Sequence, residues 1–153
     1  MKRVRFAPLL AATLLAGCGA PLRQSQPSTT DTTSSPAYSE ATQHLAGLDR
    51  AAAQYFQAGN AQEAEAIVSS ALPVQTRLLA APRPTLEAME AVADLDRVYG
   101  KILISNGYIA DARMLFQKNV TRWKTWKPQT DETARRLKEA TADIAECDKH
   151  MGG

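Results

Sequence analysis

The chain has 153 residues, of which 44% are hydrophobic and 22% are charged, and its formal net charge is +2. If the residues before Cys18 are removed, Lys2, Arg3 and Arg5 leave with them. Lys and Arg then fall from 18 to 15 against 16 acidic residues, so the net charge becomes −1. The basic whole-chain balance is therefore no argument for nucleic-acid binding. The length leaves room for a single domain with one modest core.

The first residues have the pattern of an export signal. Lys2, Arg3 and Arg5 form a positive start, and residues 6–16 carry no charge. This apolar stretch is shorter than the ~20 residues that a membrane-spanning helix needs, which is typical of a signal peptide. Small residues then precede Cys18, as a signal peptidase requires.

Residues 15–18 read Leu-Ala-Gly-Cys, which resembles the lipobox of bacterial lipoproteins. The resemblance implies cleavage before Cys18 and attachment of acyl chains to it, so that residues 1–17 are a signal peptide. Gly19, where retained inner-membrane lipoproteins have Asp, implies export to the outer membrane, facing the periplasm. The alternative is an ordinary secretory signal with a chance cysteine.

After the lipidated Cys18, the chain up to residue 38 is rich in Ser, Thr, Pro and Gln. Such a composition has little apolar surface to bury and predicts a disordered tether over residues 18–38. Twenty flexible residues would place the following domain about 25 Å from the bilayer on average.

From Ser39 onward, Ala, Leu and Glu dominate and no stretch alternates with period two. The apolar spacing predicts an all-α domain over residues 39–151, built from five helices in antiparallel hairpins. Ser39 is the predicted first N-cap. Pro73 is predicted to end or kink the second helix near Ala71, and continuation of this helix over residues 74–80 is left open. The predicted inward stripe of the fifth helix is Ala134, Leu137, Thr141, Ile144 and Ala145, flanked by Cys147.

Two helical pairs have related patterns, one around a turn at Gly59 and the other around a turn at Gly107. Small residues precede both turns and an alanine follows each. The pattern resembles the tetratricopeptide repeat over residues 45–72 and 93–120, which implies a right-handed array of hairpins capped by the fifth helix. The period is longer than that family's, which is about 34 residues. A generic helical bundle with chance coincidences is the alternative. The matching positions are Ala52, Tyr55, Gly59, Ala64 and Ala71 in the first unit, and Gly100, Gly107, Ala112 and Phe116 in the second.

No residue set predicts catalysis, a metal or a cofactor. Cys147 and His150 are close enough along a helix to share a metal, but no second Cys or His pair accompanies them. With Cys18 consumed by lipid, Cys147 has two interpretations: a thiol that pairs between chains, or a small buried residue. The carboxylates of helix three predict a solvated acidic face rather than acid–base chemistry; they are Glu87, Glu90, Asp94 and Asp96.

The last third of the chain is basic, and its Trp126 lies at a helix end. Trp and Arg are common anchors of interfaces, so this part predicts a docking patch for a partner, or for anionic headgroups or glycan. The alternative is that Trp126 packs on the fifth helix while the bases are merely solvated. The patch comprises Trp126, Arg122, Lys124, Lys127, Arg135 and Arg136.

These features together predict a lipid-anchored envelope protein that is not an enzyme. Its domain would act as a protein–protein interaction or assembly module for a pilus, secretion or outer-membrane complex. Two alternatives remain open at this stage: a protein that binds glycan or acts on the cell wall, and a small surface lipoprotein with an exclusion or immunity role.

Overall fold

A computed structural model describes residues 32–152. The predicted signal peptide, Cys18 and most of the predicted tether lie outside these residues. The described chain is helical throughout and contains no strand, so the predicted all-α class with five helices is confirmed. A short 3₁₀ turn, Thr32–Ser34, precedes α1 (Pro36–Gln57), α2 (Ala61–Leu79), α3 (Leu86–Ser105), α4 (Ile109–Thr125) and α5 (Asp131–Met151).

The first helix begins earlier than the predicted Ser39. Its N-cap is Ser35, whose hydroxyl accepts a hydrogen bond from the Tyr38 backbone N–H at 3.2 Å, and Pro36 occupies the first helical position. Tyr38 is buried, and its hydroxyl donates to the Leu78 carbonyl at 3.3 Å. The predicted tether boundary at residue 38 is therefore wrong, because the last of those residues cap and anchor α1.

The second helix does not end at Pro73, so of the two predicted outcomes the continuation past the proline is the one present. Pro73 itself is exposed, while Ala71 and Leu78 on either side of it are fully buried in one cluster with Leu45. A proline inside a helix removes one hydrogen bond. Here the packing of both flanking segments into the same core keeps α2 continuous from Ala61 to Leu79.

The turns of the two related hairpins have the same backbone geometry. Gly59 and Gly107 have φ of +81° and +83°, a region that glycine adopts without steric cost. The next N–H in each turn donates to a carbonyl of the preceding helix, Asn60 to Tyr55 at 2.9 Å and Tyr108 to Leu103 at 2.8 Å. Both are Schellman ends. The right-handed tetratricopeptide-like array stays a prediction.

Helix α1 packs against α2 and α3, α3 against α4, and α4 against α5. The close α3–α4 contact depends on Gly100, which is buried beneath the Phe116 ring. A Cβ at position 100 would lie only 2.4 Å from Phe116 Cε1. The expected pairing of a small residue with a bulky one across this hairpin is therefore present in the structure.

The inward face of α5 is offset from the predicted stripe. Leu137 and Ile144 are partly buried as expected, but Ala134, Thr141 and Ala145 are exposed. Acidic residues of α5 point toward α3 and pair with its bases, so apolar periodicity alone misplaces the face. The buried residues of α5 are Thr133, Ala140, Asp143 and Cys147.

The described chain enters the domain at one end of the helical bundle, which we call the tether end. Thr32 lines a hollow of about 310 Å³ together with Arg77 and Ala80 at the end of α2. The loops 80–85 and 126–130 lie at this same end, because α3 starts and α4 finishes there, and Met89 and Trp126 border one cavity. The turns at Gly59 and Gly107 lie at the opposite end. Within residues 32–152, no helix has the length and apolarity to cross a membrane.

Candidate docking groove

An open cavity of about 520 Å³ runs along α4, beside α3. A smaller hollow of about 250 Å³ adjoins it, because Met114 and Lys118 border both. The two extend from Asp111 to Trp126, about 22 Å along the helix axis. We call this the docking groove. It is lined by Met89, Tyr99, Leu103, Asp111, Met114, Leu115, Gln117, Lys118, Thr121, Arg122, Thr125 and Trp126.

The groove presents apolar surface to solvent. Met114, outside the inward stripe of α4, is 62% exposed. The threonine hydroxyls of the wall already have partners within α4: Thr121 donates to the Gln117 carbonyl at 3.0 Å, and Thr125 to the Thr121 carbonyl at 2.9 Å. Binding of a partner in the groove would therefore leave the Thr121 and Thr125 hydroxyls hydrogen-bonded.

Trp126 closes the tether end of the groove. It is half-buried, and its ring meets the Trp123 ring edge-on, with centroids 6.5 Å apart and an interplanar angle of 62°. It also packs with Met89 and Leu137 around the Trp123 cluster. Trp126 therefore packs against the Trp123 cluster, which includes Ala140 of α5, and also borders the groove. Its role in docking stays a prediction.

Arg122, a predicted docking residue, is engaged inside the protein. Its guanidinium donates from both terminal nitrogens to the Asp96 carboxylate at 3.2 Å, and it also bonds the Asn119 side chain. The Gln75 amide donates to the same carboxylate at 2.7 Å. The side chains of Arg122 and Asp96 are each only 10% exposed. This network joins α2, α3 and α4, and it fixes the Arg122 side chain where it lines the groove.

Burial raises the pKa of Asp96 above its usual range, and the nearby Arg122 charge opposes that rise. The carboxylate sits in a low-dielectric place where an unpaired charge is costly. Removing Arg122 would therefore leave the buried Asp96 carboxylate without a compensating charge and would destabilise the fold. Its role in the groove is to hold Asp96 and the three helices, rather than to offer a free cation to a partner.

Arg136 is a second internal hub. Its guanidinium lies over the Trp123 ring at 5.5 Å and bonds Asp94 and Glu132, both at 2.7 Å. Burial disfavours its charge, but the hydrogen bonds that it donates to these acids outweigh that effect and raise its pKa. The side chain is 13% exposed. Arg136 therefore joins α5 to α3 and is not an open docking residue.

Further pairs continue the contact of α5 with α3. Arg97 bonds Asp143 at 2.9 Å, and Lys101 bonds Asp143 at 3.1 Å and also Glu146. The predicted docking residue Arg135 is exposed but bonds two acids of its own helix, Glu132 and Glu139. The arginines of α4 and α5 are thus paired with nearby acids. Three of the α3 carboxylates that were predicted to form a solvated face are among these acids: Glu90, Asp94 and Asp96.

Lys124 and Lys127 complete the predicted patch. Both are exposed, and neither makes an ion pair within residues 32–152. The structure therefore divides the six predicted docking residues into two sets. Trp126, Lys124 and Lys127 are placed at the tether end of the groove, whereas Arg122, Arg135 and Arg136 are bonded to acids.

Asp49 on α1 was not singled out from the sequence. Its Oδ1 atom is buried and has no hydrogen-bond partner within the described chain. Burial, followed by the nearby Asp94 charge, raises the pKa of Asp49 to about 6, while Arg50 and Arg136 partly offset this. A lone aspartate on a helix carries no sequence signal of such an environment, because the neighbour that shifts its pKa comes from another helix.

Cys147 is fully buried against Ala112 and Phe116. Burial raises the pKa of its thiol, which lowers its reactivity. This placement fits the small buried residue among the two interpretations of Cys147. Within residues 32–152, no three Cys, His, Asp or Glu residues lie in an arrangement that could hold a metal ion.

Sequence analysis also missed the groove itself, although one signal was present. Met114 is a large apolar residue that falls outside the inward stripe of α4, and such a residue is informative when others surround it. Met89 of α3 packs against the Trp123 cluster and borders the cavity as well. Periodicity shows which residues leave the core but not whether a neighbouring helix covers them.

The sequence matches no protein-family model, and no curated protein or solved structure matches it significantly. The functional argument therefore depends on the signal sequence and on the geometry of the groove.

Proposed function

We propose that the protein is an outer-membrane lipoprotein, anchored through Cys18, whose helical domain is an interaction or assembly module for an envelope complex. The partner would be another envelope protein, docking in the groove along α4. The observation that carries this proposal is the open, mainly apolar groove of about 520 Å³ between α3 and α4. Concave apolar sites with a few polar groups are the usual places for a ligand or a partner segment.

The dimensions of the groove favour a helical segment of a partner. A length of about 22 Å accommodates roughly four helical turns, whose residues at i, i+3, i+4 and i+7 would contact the groove. Met89 and Met114 supply flexible side chains that adapt to a partner's shape. Trp126 supplies a rigid aromatic at the groove end, the residue type most often found to dominate binding.

The charge distribution also supports a docking role. Because Arg122 is bonded to Asp96, it holds α4 against α3 beside the groove, and the exposed lysines remain for a partner's rim contacts. Rim charges mainly affect association rate and specificity. The α3 carboxylates Asp94 and Asp96, candidates for acid–base work in a wall-acting protein, are held by arginines instead. This favours the interaction module over a hydrolase.

The anchor is tested by Cys18→Ala in cells fed a labelled fatty acid. We expect the variant to lose the label and to accumulate as an unprocessed or mislocalised precursor. Cys147→Ala is the matched control, since it removes the other cysteine and should leave labelling unchanged. Absence of label in the wild-type protein, with normal release of a soluble mature form, would show that the lipobox interpretation is wrong.

The docking site is tested by placing a photo-crosslinking amino acid in the groove, at Met114 or Lys118, in living cells. We expect a discrete crosslinked protein from these positions. Ala134 and Thr141, exposed on α5 away from the groove, are the control positions and should give none. The same crosslinks from all four positions, or none from the groove, would contradict docking in the groove.

A further inference from the structure

We infer that the tether end of the domain lies against the anionic headgroups of the bilayer that holds Cys18. The anchored domain would then stand with the docking groove starting near the membrane and running away from it. This inference rests on the proposed lipid anchor, and it adds an orientation and a lipid surface as a second contact.

The first argument is the position at which the chain enters the domain. Thr32 and Tyr38 lie beside the end of α2, with Tyr38 bonded to the Leu78 carbonyl. Loop 80–85 and loop 126–130 lie at this same end, whereas both glycine turns lie at the other. The tether therefore leaves the domain at the end that carries Lys127 and Trp126. Because the tether is attached to the anchor, this end is held nearest to the bilayer.

The second argument is the length of chain between the anchor and the domain. Residues 19–31 separate Cys18 from the first described residue. A chain of this length reaches at most about 50 Å even when fully extended. The segment therefore keeps the tether end within that distance of the bilayer that holds Cys18.

The third argument is charge. Four exposed cations lie in the terminal turns and loops of the tether end, and none makes an ion pair within residues 32–152. The acidic residues at this end are Glu40 near the start of α1, Glu87 and Asp131, each in the first turn of a helix, and Glu132, which is bonded to two arginines. We call these four the tether-end cations: Arg77, Arg83, Lys124 and Lys127.

The opposite end has the reverse balance. Glu63 and Asp111 occupy the first turns of α2 and α4, Asp148 is paired with Arg113, and Lys149 is the cation left over in the last turn of α5. An anionic surface would therefore attract the tether end and repel the far end. Each Lys or Arg held near an anionic bilayer strengthens association roughly fivefold, and a half-buried Trp126 is the residue type favoured at the headgroup level.

The test uses the processed, lipidated protein in vesicles of phosphatidylcholine, with or without phosphatidylglycerol. The vesicles contain a headgroup spin-labelled lipid that quenches nearby tryptophan fluorescence. The chain has two tryptophans, of which Trp123 is 1% exposed, so Trp126→Phe reports the background from Trp123. We expect phosphatidylglycerol to increase quenching of Trp126 about twofold or more, and high salt to reverse the increase.

The matched variants change equal numbers of cations at different places. Substituting Gln for all four tether-end cations should abolish the response to phosphatidylglycerol. Substituting Gln for four exposed cations elsewhere should preserve it, although the net charge changes equally. The control positions are Arg50, Lys118, Lys138 and Lys149.

Equal loss of the response in both variants would overturn the inference. The attraction would then depend on the net charge of the domain and not on the position of the cations at the tether end. Unchanged quenching on adding phosphatidylglycerol would overturn it as well. Mass spectrometry of the purified protein separates this failure from that of the proposed function. A lipidated Cys18 with no response rejects only the orientation, whereas an unmodified Cys18 rejects the anchor and the orientation with it.

Discussion

At the scale of single residues, Gly100 shows why one hairpin needs a glycine inside a helix. Its missing Cβ is the space that the Phe116 ring occupies. We expect Gly100→Ala to lower the free energy of unfolding by about 1–3 kcal/mol, because the ring must move in a fully packed core. Gly47→Ala is the control, since nothing lies within 4 Å of a Cβ there. It should raise stability by about 0.5–1 kcal/mol. Chemical denaturation of both variants measures the difference, and equal shifts would contradict this packing.

Asp49 should make the stability depend on pH. Its pKa is raised to about 6 in the folded protein, from an ordinary value near 3.8. Between these values the folded state binds more protons than the unfolded state, so stability falls as pH rises from 4 through 6. We expect Asp49→Asn to be more stable than wild type by about 1–2 kcal/mol at pH 7.5, a figure reduced for partial exposure. The gain should vanish near pH 4. Urea unfolding across this range measures it, and a gain independent of pH would refute this explanation.

At the scale of helices, Arg136 is the main link of α5 to α3. Its removal would leave Asp94 and Glu90 without their cation and uncover the Trp123 face. We expect Arg136→Met to cost about 1–3 kcal/mol of stability, less than a fully buried pair because its acids are partly exposed. Arg135→Met, at the adjacent position, removes only exposed pairs within α5 and should change stability by less than about 0.5 kcal/mol. Thermal unfolding compares the stabilities of the two variants directly. Similar losses of stability would show that Arg136 contributes no more than Arg135.

The same helices show how far the sequence could predict the structure. Apolar period and turn glycines located all five helices, because those signals are local. The start of α1 was missed since a Ser-Ser-Pro run is typical of both tethers and helix caps, and only the burial of Tyr38 decides between them. The sequence left open whether α2 ends at Pro73, because only the packing on both sides shows that the lost hydrogen bond is outweighed. The face of α5 was offset because its inward residues include Asp143, whose partners Arg97 and Lys101 lie on α3, far away along the chain.

The candidate site was predictable only in part, for the same physical reason. Trp126 and its flanking lysines were identifiable from composition. The pairing of Arg122 with Asp96 was not, because a turn and most of two helices separate them along the chain, and charge counts treat each as free. The last third of the chain was predicted to be basic, but Arg122 and Arg136 within it bond to the α3 carboxylates Asp96 and Asp94. The lysines of this part stay exposed.

At the scale of the whole molecule, the groove and its partner can be tested without unfolding the domain. Met114 is 62% exposed, so Met114→Lys should leave helical content and stability unchanged. We expect it to weaken capture of the crosslinked partner about tenfold or more, because a charge would be placed in an apolar contact. Met151→Lys is the control at the far end, where the methionine is 51% exposed. Measured affinities that drop equally for both variants would argue against the groove.

The burial of Cys147 has a kinetic consequence for the whole domain. If Cys18 carries lipid, Cys147 is the one thiol left, and it lies on the inner face of α5, buried against Ala112 and Phe116 of α4. A thiol reagent can then react only when α5 detaches from α4, so the labelling rate measures how often α5 detaches. Because several ion pairs join α5 to α3, salt should speed labelling while leaving global unfolding nearly unchanged. A labelling rate that tracks global unfolding at every salt concentration would mean that α5 leaves only when the entire domain unfolds.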